Sequence, residues 1–246
     1  MAIGSYQTKL GSIYPGLVGW MDAADTATTN ITSSGGLVSV IRNKANSQNP
    51  FVQATGGNQP QTGVSTMASK NVITFNGTSN YLSCNALAAY FTGNDTPISV
   101  FAVYNPTTLT GSPAIWFAAN SGNTTILFGH DNGNSNTFRI FKRDDASILA
   151  QGVTTTAAAS TPVMSSMSYA GSTLKAWKNG TSFYNGSFNV GVTTLNTFAL
   201  GIRPTSSISN YFSGDIAEIL IYNRALSDDQ VASIQQYLST KWRIAL

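Results

Sequence analysis

Short runs of apolar, β-branched and aromatic residues recur along this chain, separated by turn residues. They are Val38–Arg42, Phe51–Ala54, Val72–Phe75, Ile98–Tyr104, Ala114–Ala118, Thr125–Phe128, Thr137–Lys142, Val163–Tyr169, Thr173–Lys178, Thr197–Ile202 and Ile216–Tyr222. Asn76-Gly77, Asn132-Gly133, Asn179-Gly180 and Asn185-Gly186 supply turn chemistry between them, and Gly35-Gly36 and Gly56-Gly57 mark loops. Thr26 to Gly36 carries no core signal and reads as a loop. A series of short strands with frequent turns predicts a β-sandwich or barrel. No segment repeats at a fixed period.

The pattern changes at the end. Ile216–Tyr222 is apolar on both faces, as a strand in the middle of a packed sheet should be. Then Ser227 can cap a helix, with Gln230 three residues on to complete a capping box and Leu226 placed to staple onto Val231. Val231, Ile234 and Leu238 return at helical spacing, which predicts one closing helix over 227–242.

Composition narrows the function. Charged residues are 9% of the 246, far below the roughly 25% usual in soluble domains, so the polar surface must be built from Ser, Thr, Asn, Gln and Gly. Such a surface suits neutral sugars or packing into an assembly, and it is poorly suited to nucleic acid. The nearest approach to a basic patch is Arg139, Lys142 and Arg143, followed at once by Asp144 and Asp145, and it reads as a solvated hairpin. No linker breaks the composition, so a single domain is expected over 14–246, with 1–13 as an arm or edge segment. Cys84 is alone and reads as a small buried residue. The N-terminus lacks the pattern of a signal peptide, and no run approaches the length of a membrane span, so no membrane partner is expected.

Three stretches carry a family resemblance. Tyr14-Pro15-Gly16-Leu17-Val18-Gly19-Trp20-Met21-Asp22-Ala23-Ala24-Asp25 resembles an opening strand with a Trp-x-Asp-Ala turn, Val72 to Leu82 resembles a later Phe-Gly-Tyr strand, and Gly214 to Trp242 resembles the closing strand and helix. Together they resemble the laminin-G-like domains of the concanavalin A-like lectin/glucanase superfamily. That resemblance implies an all-β jelly-roll of two antiparallel sheets with one C-terminal helix. It also implies a setting in bacteriophage virions or bacterial surface proteins. The superfold hosts lectins, hydrolases and inert spacers alike.

The glucanases of the superfamily use clustered carboxylates. Retaining hydrolysis needs two carboxyl groups about 5–5.5 Å apart. Glu218 is the only glutamate here, and Asp215 stands three residues before it, an odd spacing that predicts opposite faces. The chain is therefore expected not to be an enzyme, with Glu218 making a structural hydrogen bond. His130 is the only histidine and reads as part of a turn, with no Gly-x-Ser-x-Gly elbow to serve. Sugar binding calls for a flat aromatic face, and the candidates are Trp177, Tyr184, Trp116 and Tyr211, with Tyr169 behind them. Trp177 shares a strand face with Lys175 and Asn179; the competing reading is that it packs over the sheet. No cofactor is required, and calcium is the one left open. Its candidate ligands are Asp131, Asn132 and Asn134, with Asp22 and Asp25 or Asp144-Asp145 as alternatives, none of them an EF-hand loop.

These features lead to the expectation of a non-enzymatic phage virion protein, a capsid decoration or tail component. Its partners would be other virion proteins and, through weak multivalent contacts, host cell-surface glycans. A homo-oligomer would suit that role, though no coiled-coil or collagen repeat signals one. The alternative is a bacterial extracellular polysaccharide-binding or adhesin domain.

Overall fold

The computed structural model describes residues 15–109, 113–120, 124–131, 137–156, 158–189, 191–203 and 210–246, with Leu127, His130, Asp131 and 150–156 described by their backbone. Strands β1 (Leu17–Asp22), β2 (Ile31–Ser34), β3 (Leu37–Ile41), β4 (Phe51–Val52), β5 (Gln61–Met67), β6 (Lys70–Asn76) and β7 (Leu82–Ser83) form the first half of the fold. Then come β8 (Ile98–Pro106), β9 (Ala114–Ala119), β10 (Thr125–Asp131), β11 (Thr137–Arg143), β12 (Leu149–Thr156), β13 (Val163–Ala170), β14 (Thr173–Lys178) and β15 (Thr181–Ser187). The chain closes with β16 (Thr197–Leu200), β17 (Ile202–Arg203), β18 (Asn210–Tyr211), β19 (Ser213–Tyr222) and helix α1 (Asp228–Trp242).

The pairings are antiparallel and resolve into two layers. Sheet A runs β12-β11-β10-β9-β16-β7-β4-β3-β2. Sheet B runs β15-β14-β13-β8-β19, and β19 then shares its far edge between β1 and β6, with β5 beyond β6. The layers touch at one corner, where Leu37 pairs with Gln61. This is the expected jelly-roll sandwich with its C-terminal helix.

Alternation along the strands builds two cores. Inward residues such as Phe51, Trp116, Phe138 and Phe198 of sheet A meet Phe75, Tyr104, Met167 and Ile219 of sheet B. On the outer side of sheet B, Trp20, Phe101, Met164 and Leu220 receive Val231, Ile234, Tyr237, Leu238 and Trp242 of α1. The helix start is as its sequence predicts. Ser227 Oγ accepts from Gln230 N and Gln230 Oε1 accepts from Ser227 N, while Leu226 and Val231 both enter the helix-side core.

Several local expectations change. Gly35 and Gly36, both at positive φ, turn a β2–β3 hairpin inside the stretch expected to be a loop. Asn185-Gly186 lies within β15 rather than at a turn, and His130 lies in β10 opposite Phe138. Residues 1–13 and the Asn132-Gly133 turn are outside the described residues.

Candidate functional site

The one glutamate is sealed away. Glu218 is 0% exposed, on the helix side of sheet B. Trp20 Nε1 and Tyr237 OH each donate to its Oε1 at 2.9 Å, Trp242 Nε1 donates to its Oε2 at 2.7 Å, and Lys241 Nζ lies 2.8 Å from Oε2. Lys241 also reaches Asp22 at 2.7 Å, and Lys44 joins Asp22 and Asp25 at 3.0 and 2.9 Å. Burial raises the carboxyl pKa of Glu218, with Lys241 pulling the other way. A bulge at Ile216–Glu218 turns Ala217 and Glu218 to the same side, so Asp215 and Glu218 share a face despite their odd spacing. They still form no catalytic pair: Asp215 accepts from Ser65 and Thr74 instead.

The aromatic candidates do not converge. Trp116 is 1% exposed and stacks with Phe198, with Phe91 tilted against it, in the core between the sheets, so no sugar can reach it. Trp177 is half-buried and packs on the helix-side core, beside the Lys175–Asp228 ion pair. Tyr184 stands opposite Ala176 and leans into the inter-sheet core against Phe188, so it and Trp177 sit on opposite faces of one hairpin. Tyr211 pairs with Ile202 in the β17–β18 ribbon. Tyr169, within the core, receives the ammonium of Lys142.

The alternative calcium candidates, Asp22, Asp25, Asp144 and Asp145, are each engaged by protein groups. Among the described residues no three His, Cys, Asp or Glu side chains gather to hold a metal. Asp22 and Asp25 are occupied by lysine ammoniums. Asp144 accepts the backbone N–H of Ile148 and Gly191, and Asp145 accepts from Thr124 and Thr194. Asn132 and Asn134, and the side chain of Asp131, lie outside the described residues.

The basic residues that read as a solvated hairpin do something else. Lys142 points inward, 3% exposed; burial lowers its pKa against the pull of Asp95 and Asp144. Its neighbours Arg139 and Arg143 point outward on either side of Phe141 along β11, on the outer face of sheet A. Arg203, sixty residues further on in β17, comes over the same ring. The three guanidinium carbons stand 4.7, 5.2 and 5.7 Å from the centre of Phe141. Beneath and beside them lie Ala114, Phe117 and Ala119. Gly129 keeps this floor low, because a Cβ there would stand 2.2 Å from the carbonyl oxygen of Pro113. Phe141 is 1% exposed and its three arginines half-buried, so this face presents guanidinium groups rather than a bare ring. No local signal ties Arg203 to Arg139 and Arg143; only the sheet order brings it there. Two open hollows, near Lys175 and Asp228 (≈ 400 Å³) and near Asn30 and Arg42 (≈ 350 Å³), hold no such convergence of groups.

A family model described as the concanavalin A-like lectin/glucanases superfamily matches residues 76–232. The chain belongs to this superfamily. By sequence, no curated protein matches it. Solved structures of similar fold include domain 4 of AbnA, a GH43 extracellular arabinanase from Geobacillus stearothermophilus, in complex with arabinotriose. That domain is 19% identical at a TM-score of 0.63, over 89% of this chain and 98% of that one. The CBM40 of Ruminococcus gnavus IT-sialidase, bound to alpha2,3 sialyllactose, is 14% identical at 0.57, over 67% and 96%. A Trypanosoma rangeli sialidase in complex with sialic acid is 14% identical at 0.64, and this chain spans 33% of it. At such identities the likeness is one of concanavalin A-like fold.

Proposed function

We propose that this chain is a non-catalytic carbohydrate-binding domain, the bacterial polysaccharide-binding reading of its sequence, and that the outer face of sheet A around Arg139, Phe141, Arg143 and Arg203 receives the glycan. The observation that carries this is the end-to-end likeness to the arabinanase domain 4, which covers nearly all of both chains and whose partner is an oligosaccharide. The CBM40 bound to sialyllactose supports the same class of ligand. Lack of catalysis is supported by Glu218, whose oxygens are taken by two indoles, a phenol and an ammonium beneath α1. Nothing in the fold or among these relatives bears on a virion, so the adhesin-like reading takes precedence over the phage one.

A glycan array tests it, with the protein displayed both singly and multivalently and with and without calcium. Binding to at least one glycan class is expected, strengthened by multivalent display. Silence in every format contradicts the proposal.

A further inference from the structure

We infer that the glycan carries a carboxylate, and that Arg139, Arg143 and Arg203 recognise it; the inference rests on the reading of this sheet face as the glycan site. Three of the six arginines in the sequence meet at one phenylalanine, in a chain with only 13 basic residues. Strands β9 to β12 and β16 contain one acidic residue, Asp131, the last of β10. The face therefore carries more positive than negative charge. A face on which one sign of charge prevails draws anions toward it.

Geometry selects the kind of anion. A neutral sugar is held best by a bare aromatic face, and Phe141 is covered by its own arginines. The guanidinium is a planar fork of N–H donors that matches a carboxylate in two parallel hydrogen bonds. Contact with the Phe141 ring holds the guanidiniums near one another and removes part of the entropy lost on binding. Nucleic acid fits less well, because its backbone needs a long basic track and its bases need open rings. Among the described residues neither occurs around this compact cluster.

The test uses the whole chain and three carboxylated probes: an oligogalacturonide, an unsulfated hyaluronan oligosaccharide and sialyllactose. Each is measured by calorimetry beside its carboxyl-reduced form. At least one carboxylated probe should bind at least about tenfold more tightly than its reduced form, the loss expected for one bidentate pair. Arg143→Lys and Arg203→Lys, which keep charge but lose the fork, should each weaken that binding, whereas Arg42→Ala should not. Thermal unfolding of each variant separates lost binding from lost structure, and a folded Arg143→Lys alone suffices if Arg203→Lys is unstable. Equal affinity for carboxylated and reduced probes overturns the carboxylate inference and leaves glycan binding standing. Binding only to neutral glycans does the same. Equal or tighter binding of duplex DNA overturns it in favour of a general polyanion face. If neither these probes nor the wider glycan array binds, the functional reading itself fails.

Discussion

Replacing Glu218 should cost the fold a large share of its stability. The residue is wholly buried, and four donors converge on its two oxygens at 2.7–2.9 Å. Glu218→Ala leaves Trp20 Nε1, Trp242 Nε1 and Tyr237 OH without that acceptor in a dry interior, and leaves Lys241 with Asp22 as its remaining carboxylate. Each stranded donor costs about 1–3 kcal/mol, and breaking a buried ion pair from one side costs about 3–5 kcal/mol. These effects overlap, so the total expected is about 4–6 kcal/mol rather than their sum. In a domain of this length that lowers Tm by roughly 8–24 °C. Glu218→Gln keeps the shape and one acceptor but loses the charge, and should fall between the variant and the native chain. Urea unfolding followed by tryptophan fluorescence measures all of this, with Trp20 and Trp242 reporting from the site. A loss under about 1 kcal/mol for Glu218→Ala would refute the reasoning, since the donors would then have found other partners.

Three further outcomes follow from the same structure. Trp116→Ala should cost about 3–5 kcal/mol in denaturant unfolding, because it opens a cavity between Phe91 and Phe198. The Cys84 thiol, pushed up to about 11 by burial, should resist a disulfide-exchange reagent at neutral pH and react fully once the chain is unfolded. The hydrogen bond from Lys44 holds Asp25 below its usual pKa, so this pair adds stability above pH 3.8 that is lost as pH falls through the lower folded value. Asp25→Asn should therefore flatten the acid limb of a stability–pH curve. The change should be at most about 1 kcal/mol, because the carboxyl is 35% exposed.

The sequence made the central strands and the closing helix legible, and its edges much less so. Strands β8, β13 and β19 lie in the middle of sheet B and are apolar on alternate or both faces, so their runs stand out. The strands that sequence did not reveal include β2, β5, β12 and β15, which are polar or glycine-containing and pair at the margins of the layers. An edge strand is defined by a neighbour's unpaired backbone, which leaves little trace in side-chain pattern. The bulge at Ile216–Glu218 was equally hidden, and it overturned the simple spacing argument for Asp215 and Glu218. Of the site, the alternation Arg139-x-Phe141-x-Arg143 is written in the chain. Its third arginine is not, because Arg203 arrives only through the pairing of β16 with β9 and the ribbon that follows. Trp116, attractive as a sugar platform from sequence, is core for a reason that sequence also holds: its strand is apolar at every position.

Arginine footprinting tests the central claim most directly. The chain is treated with phenylglyoxal in the presence and absence of a glycan that binds it, and each modified arginine is read by peptide mass spectrometry. The account predicts that glycan protects Arg139, Arg143 and Arg203 together and leaves Arg42, Arg224 and Arg243 unchanged. Protection centred on Arg42, or undiminished labelling of the three arginines while the glycan stays bound, would place the ligand elsewhere and contradict it.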